Sequence, residues 1–119
     1  MSQDLHPGDF LVFQLESGYG LLRVLDVVQD GNSNVFHLAA YEDLFLDVDM
    51  ADAAIQNPSA LKVSHPHIAL TERAFLSTQV AKLSNAALQP DETAAYSAWQ
   101  TDPAREVSDR SVRLILGLR

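Results

Sequence analysis

Near the start of the chain, Phe10 to Glu16 is a run of β-formers whose apolar and polar positions come to alternate toward its end, as an extended segment requires. Over Phe10 to Glu16, Leu11, Phe13 and Leu15 fall on one face, and Val12, Gln14 and Glu16 fall on the other. Pro7-Gly8-Asp9 predicts a turn just before this strand, because Pro fixes φ and Gly tolerates unusual backbone angles. Ser17-Gly18 predicts a short hairpin connection. A second strand is predicted over Tyr19 to Gln29, carried by Leu21, Leu22, Val24, Leu25, Val27 and Val28 and interrupted by Arg23 and Asp26. Asp30-Gly31-Asn32-Ser33-Asn34 is the strongest turn signal in the chain. The third strand, Val35 to Tyr41, places Phe36, Leu38 and Ala40 on one face. Three strands joined by short turns predict an antiparallel meander.

The pattern then changes. Ala51 to Ile55 reads as a short helix stopped by Asn57-Pro58, since the residue before Pro is pushed out of the α region. Leu61 to Ser64 and Ile68 to Leu70 read as short strands, with Pro66 either breaking the run or confining it to a sheet edge. Thr71 is a candidate cap for a helical or irregular segment holding Phe75, Leu76 and Val80. Pro90-Asp91-Glu92 opens a helix whose apolar stripe runs through Ala95, Tyr96 and Trp99, and Thr101-Asp102-Pro103 ends it. Ser108 to Leu116 fits a short helix with Ser108 at the cap and Gly117 beyond the end, and its alternating Val112, Leu114 and Leu116 fit a strand equally well. The expected fold is one α+β domain over residues 1–119. It has a curved antiparallel sheet or partly open barrel in the N-terminal half and helices packed on it from the C-terminal half.

Composition narrows the function. With 119 residues there is room for one core. The net charge is −8, and it is unevenly placed. Residues 1–60 hold ten acids and one base, Arg23, whereas residues 61–119 hold six acids and seven bases. Five of the acids, Glu42, Asp43, Asp47, Asp49 and Asp52, fall within eleven residues. Such a balance argues against a general nucleic-acid binder and against docking on anionic membranes. It fits steered association with a basic protein, and it also fits a surface charged for solubility. Met1 to His6 carries no basic and apolar leader pattern, and no apolar run approaches a membrane span, so a cytoplasmic protein is expected.

Candidate chemistry is sparse. The absence of Cys excludes disulfides, thiolate metal sites and Cys nucleophiles. His65-Pro66-His67 would put two imidazoles on one side of an extended segment, with His37 or Asp47 as a third metal ligand. No spacing fixes a full ligand set, so no metal and no cofactor is expected. Asp47-x-Asp49-x-x-Asp52 lacks the Gly and Glu of a calcium loop. Gly18-Tyr19-Gly20 has Arg23 where a dinucleotide loop needs its third Gly, and a hairpin turn accounts for it better. Tyr96 and Trp99 suit either a helix anchor or an interaction face. Arg105, Arg110, Arg113 and Arg119 form a basic C-terminal group able to pair with the acidic half, within one chain or between two.

Pro7-Gly8-Asp9-Phe10 followed by Gly20-Leu21-Leu22-Arg23-Val24 resembles the opening hairpin of a bacterial polymorphic-toxin immunity family, number twenty-six in the usual naming. SH3-like barrels open in a similar way. The resemblance covers the first 25 to 30 residues. It implies a non-catalytic protein that neutralises a toxin by binding it, and the acidic half fits a basic toxin. The expected contact residues are Glu42, Asp43, Asp47, Asp49 and Asp52. The alternatives are a small metal-dependent enzyme using His37, His65 and His67, and a homodimeric regulatory module.

Overall fold

A computed structural model describes residues 4–118. The elements run β1 (Asp9–Leu15), β2 (Gly18–Asp30), β3 (Ser33–Tyr41), α1 (Val48–Ala54), β4 (Val63–Thr71), α2 (Glu72–Leu76), β5 (Val80–Asn85), α3 (Ala94–Thr101) and α4 (Val112–Leu116). Short 3-10 turns over Pro58–Ala60 and Pro90–Thr93 precede β4 and α3. The strands form a five-stranded antiparallel sheet in the order β4-β3-β2-β1-β5 that does not close into a barrel. The fold is therefore α+β, as the alternation and turn signals predict.

The meander forms where expected. Phe13 opposes Gly20 across the first hairpin, and a Cβ at Gly20 would sit 2.3 Å from the Phe13 ring. Glycine at this position leaves the space that the ring fills. The two faces then separate by strand parity. Leu11, Phe13, Leu22, Val24, Leu38 and Leu70 bury one face beneath α2 and α4, which contribute Phe75 and Val112. Phe36 and Phe75 stack there with ring centroids 4.1 Å apart. On the opposite face, Phe10, Val12, Leu21 and Tyr41 meet Ala51 of α1 and Ile55 at its C-terminal cap. Leu25 and Ala39 meet Tyr96 of α3 on that same face. Covering both faces explains why β1 and β2 read as nearly continuous apolar runs towards their centres.

Four sequence readings are corrected. The sheet is not confined to the N-terminal half, because β4 and β5 supply both of its edges. Val80 opens β5 and does not continue a helix. That strand has no clear alternation, and pairing with β1 is what makes it extended. The two short strands expected around Pro66 are one strand, β4. It tolerates Pro because it lies at the sheet edge, and its register against β3 shifts between Leu38 and Ala40. The last helix is capped by Ser111, whose Oγ accepts from the Leu114 N–H, and not by Ser108. Ser108 instead bridges the β4 edge: its N–H donates to Ala69 O and its carbonyl accepts from the Thr71 N–H. Gly117, with φ of 68°, closes α4 in the left-handed conformation that favours glycine. The predicted Thr71 cap is present, with Oγ1 accepting from the Ala74 N–H. Among the described residues no helix is long and apolar enough to cross a membrane. Arg119, and the Met1–Gln3 part of the leader reading, lie outside the described residues.

Candidate functional site

Two regions carry the residues that the sequence singles out. The first is the acidic segment between β3 and α1. Its path is fixed at several points. The Glu42 N–H donates to Lys62 O at 2.7 Å, and an Asp43 carboxylate oxygen accepts from the Lys62 N–H at 2.7 Å. Tyr19 and Phe45 exchange two backbone hydrogen bonds of 2.7 and 2.9 Å, tying the segment to the start of β2. Asp47 caps α1 by accepting from the Met50 N–H at 2.8 Å. Of the five predicted contact residues, Glu42, Asp47, Asp49 and Asp52 are exposed, while Asp43 is half-buried. The structure adds residues that the charge count overlooked. Leu44 is 52% exposed, Leu46 76% and Met50 48%, and Val48 is exposed with them. Four large apolar side chains thus stand in solvent among the acids on one ordered stretch.

The second region is on the sheet face beneath α3. A bulge places one extra residue in β2 between Val24, which opposes Leu38, and Asp26, which opposes His37. Leu25 is that residue. The bulge lets Leu25 and Asp26 occupy the same face, and Val27 returns to the opposite core. Asp26 and His37 therefore sit side by side under α3. The Tyr96 hydroxyl donates to an Asp26 carboxylate oxygen at 2.8 Å. His37 Nδ1 and His67 Nε2 are 3.0 Å apart in a hydrogen bond, one nitrogen donating and the other accepting. Both imidazoles lie against the rings of Tyr96 and Trp99 at centroid distances of 4.3 to 5.4 Å. The Trp99 indole N–H donates to Glu106 O at 3.1 Å, which fixes the ring.

The electrostatics follow from this packing. Burial lowers the His37 imidazole below its usual range against the opposing charge of Asp26, and His37 is only 2% exposed. Burial and the neighbouring His37 bring His67 down to about 4. Burial, together with the hydrogen bond and charge of Asp26, pushes Tyr96 up to about 12. At neutral pH the cluster is thus two neutral imidazoles and a neutral phenol around one carboxylate.

The structure brings His37 and His67 together. His65 is not part of that contact, and its Nδ1 lies 3.0 Å from Ser64 Oγ. Asp47, named as a third ligand, is instead committed to the α1 cap. The mutual hydrogen bond occupies one nitrogen of each of His37 and His67. Among the described residues no group of three or more His, Asp or Glu is placed to hold a metal ion. Sequence reasoning missed Asp26 and Tyr96 as members of the cluster. The signal was the charge interrupting an apolar strand. Arg23, the other interruption, is also buried, at 2% exposure. Its guanidinium meets both Glu92 carboxylate oxygens, at 3.0 and 3.3 Å, and Gly8 O at 2.5 Å, and lies 4.1 Å from the Phe10 ring centroid. This pair ties the start of α3 to the sheet. Glu92 also accepts from the Gln89 N–H at the same helix entry.

No protein-family model matches the chain, and no curated protein or solved structure matches it.

Proposed function

We propose that this protein is a non-catalytic binding protein whose acidic segment, Glu42 to Asp52, engages a basic protein partner. In its sharpest form it is an immunity-type inhibitor of a basic toxin. The observation that carries the reading is the exposure of Leu44, Leu46, Val48 and Met50 among Glu42, Asp47, Asp49 and Asp52. Exposed apolar side chains clustered on one ordered stretch are the composition of an interface core, and flanking charges of one sign steer the encounter. The backbone of this segment is held by the Tyr19–Phe45 bridge and the Lys62 contacts, so little ordering entropy opposes association. The immunity reading draws on the resemblance of the N-terminal hairpin, and the acidic surface is independent of it.

A two-hybrid screen against the coding library of the source organism supplies the partner, and stopped-flow association with that partner tests the surface. Asn caps helices as well as Asp does, so Asp47→Asn/Asp49→Asn/Asp52→Asn leaves α1 intact. The triple variant is expected to associate more slowly and with a shallower salt dependence, and Leu46→Ser to dissociate faster. An unchanged on-rate and salt slope in the triple variant would show that the acidic surface does not carry recognition.

A further inference from the structure

The groove along the β4 edge is a second candidate site, separate from the acidic segment. It has a volume of about 530 Å³ and runs between α3 and α4. Trp99 and His67 form one wall, Ile68, Ala69, Leu114 and Ile115 the apolar remainder, and Glu106 and Arg110 lie at the rim. Its size falls within the range that small ligands occupy. Three features of its lining bear on what enters it.

The aromatic wall is preorganised. Trp99 is held by its hydrogen bond to Glu106 O, and His67 by its contact with the buried His37. The two ring planes are tilted by 51°, so a flat ring that stacks on Trp99 meets His67 at an angle. The imidazole of His67 is neutral at neutral pH, so it offers a hydrogen-bonding edge without a fixed charge. The charges at the rim are also uncommitted. The Arg110 guanidinium forms no hydrogen bond or ion pair among the described residues, and neither does the Glu106 carboxylate. Arg105 adds a second cation beside the wall, its guanidinium 6.0 Å from the Trp99 ring centroid.

We propose that this groove binds a small aromatic carboxylate, its ring against Trp99 and His67 and its carboxylate paired with Arg110. Arg presents a planar fork that matches a carboxylate with two parallel hydrogen bonds. The aromatic wall supplies the ring preference, and the guanidinium supplies the charge preference.

The test uses four probes that separate ring from charge: benzoate, benzamide, acetate and benzamidine. Trp99 is the sole tryptophan, so its fluorescence reports on the groove. The ring resonances of His65 and His67, followed by NMR, locate the probe. Benzoate is expected to shift both signals saturably in the millimolar range, with benzamide and acetate each at least about tenfold weaker. Arg110 is exposed and bonded only through its backbone, so Arg110→Gln keeps the fold, which a far-UV spectrum checks. This variant is expected to lose benzoate affinity by about tenfold while leaving that for benzamide unchanged. The proposal is overturned if benzoate gives no saturable shift up to about 10 mM. It is equally overturned if Arg110→Gln binds benzoate as well as the wild type does. Benzamidine binding more tightly than benzoate would assign the groove to cations through Glu106.

Discussion

Replacing His67 by Gln tests the buried histidine pair through its pH dependence. His67 titrates at about 4 in the folded protein and at about 6.5 in the unfolded chain. Above pH 6.5 neither state binds the proton, and stability is independent of this group. As pH falls below 6.5 the unfolded chain takes up the proton while the folded state does not, so stability is lost, and the loss levels off below about pH 4. Between pH 8 and pH 5 the linkage relation gives about 2 kcal/mol from His67 alone. His67 is half-buried, and solvent screening makes that figure a ceiling. Gln keeps a polar amide beside His37 but removes the titration. Urea unfolding at several pH values, followed by far-UV circular dichroism, gives the stability of each form. The wild type is expected to lose up to about 2 kcal/mol more than His67→Gln on going from pH 8 to pH 5. His37 bonds directly to His67, so any change in its own linkage is part of the measured difference. Comparing the two differences removes any constant cost of the substitution. Parallel stability curves over that range would refute the idea that burial keeps His67 neutral.

The Arg23–Glu92 pair makes a second expectation. Glu92→Ala leaves the guanidinium buried without its carboxylate and is expected to cost about 3 kcal/mol in urea unfolding, with Arg23→Met in the same chain recovering part of the loss. Gly20→Ala drives a methyl into the Phe13 ring and is expected to cost about 1–3 kcal/mol, measured the same way. A neutral Gly20→Ala would show that the ring yields easily at that point.

The parts of the fold legible in the sequence are those in which local pattern and local geometry agree. The β1–β2–β3 meander follows from alternation and turn residues only a few positions apart. The Thr71 and Pro90-Asp91-Glu92 helix starts follow from side chains that satisfy or complement backbone groups one turn away. β5 was not legible, since its extended form comes from pairing with β1 about seventy residues earlier in the chain. Pro66 suggested either a break or an edge, and only the position of β4 in the sheet selects the edge.

The candidate sites divide in the same way. Glu42, Asp43, Asp47, Asp49 and Asp52 could be named from charge density alone. Their exposure, and the company of Leu44, Leu46 and Met50, depends on which side of the segment the sheet covers. His37 and His67 are thirty residues apart, and neither spacing nor composition predicts their contact. The β2 bulge at Leu25 and the register between β3 and β4 together bring them beneath Tyr96.

The sequence by itself determined the α+β class, the opening meander, the uneven charge and the absence of thiol chemistry, because each depends on residue type or on neighbours a few positions away. The tertiary structure decided which charges are buried and which imidazoles meet. Burial and long-range contact are properties of packing, and packing turns two charges that interrupt β2, Arg23 and Asp26, into the anchors of α3.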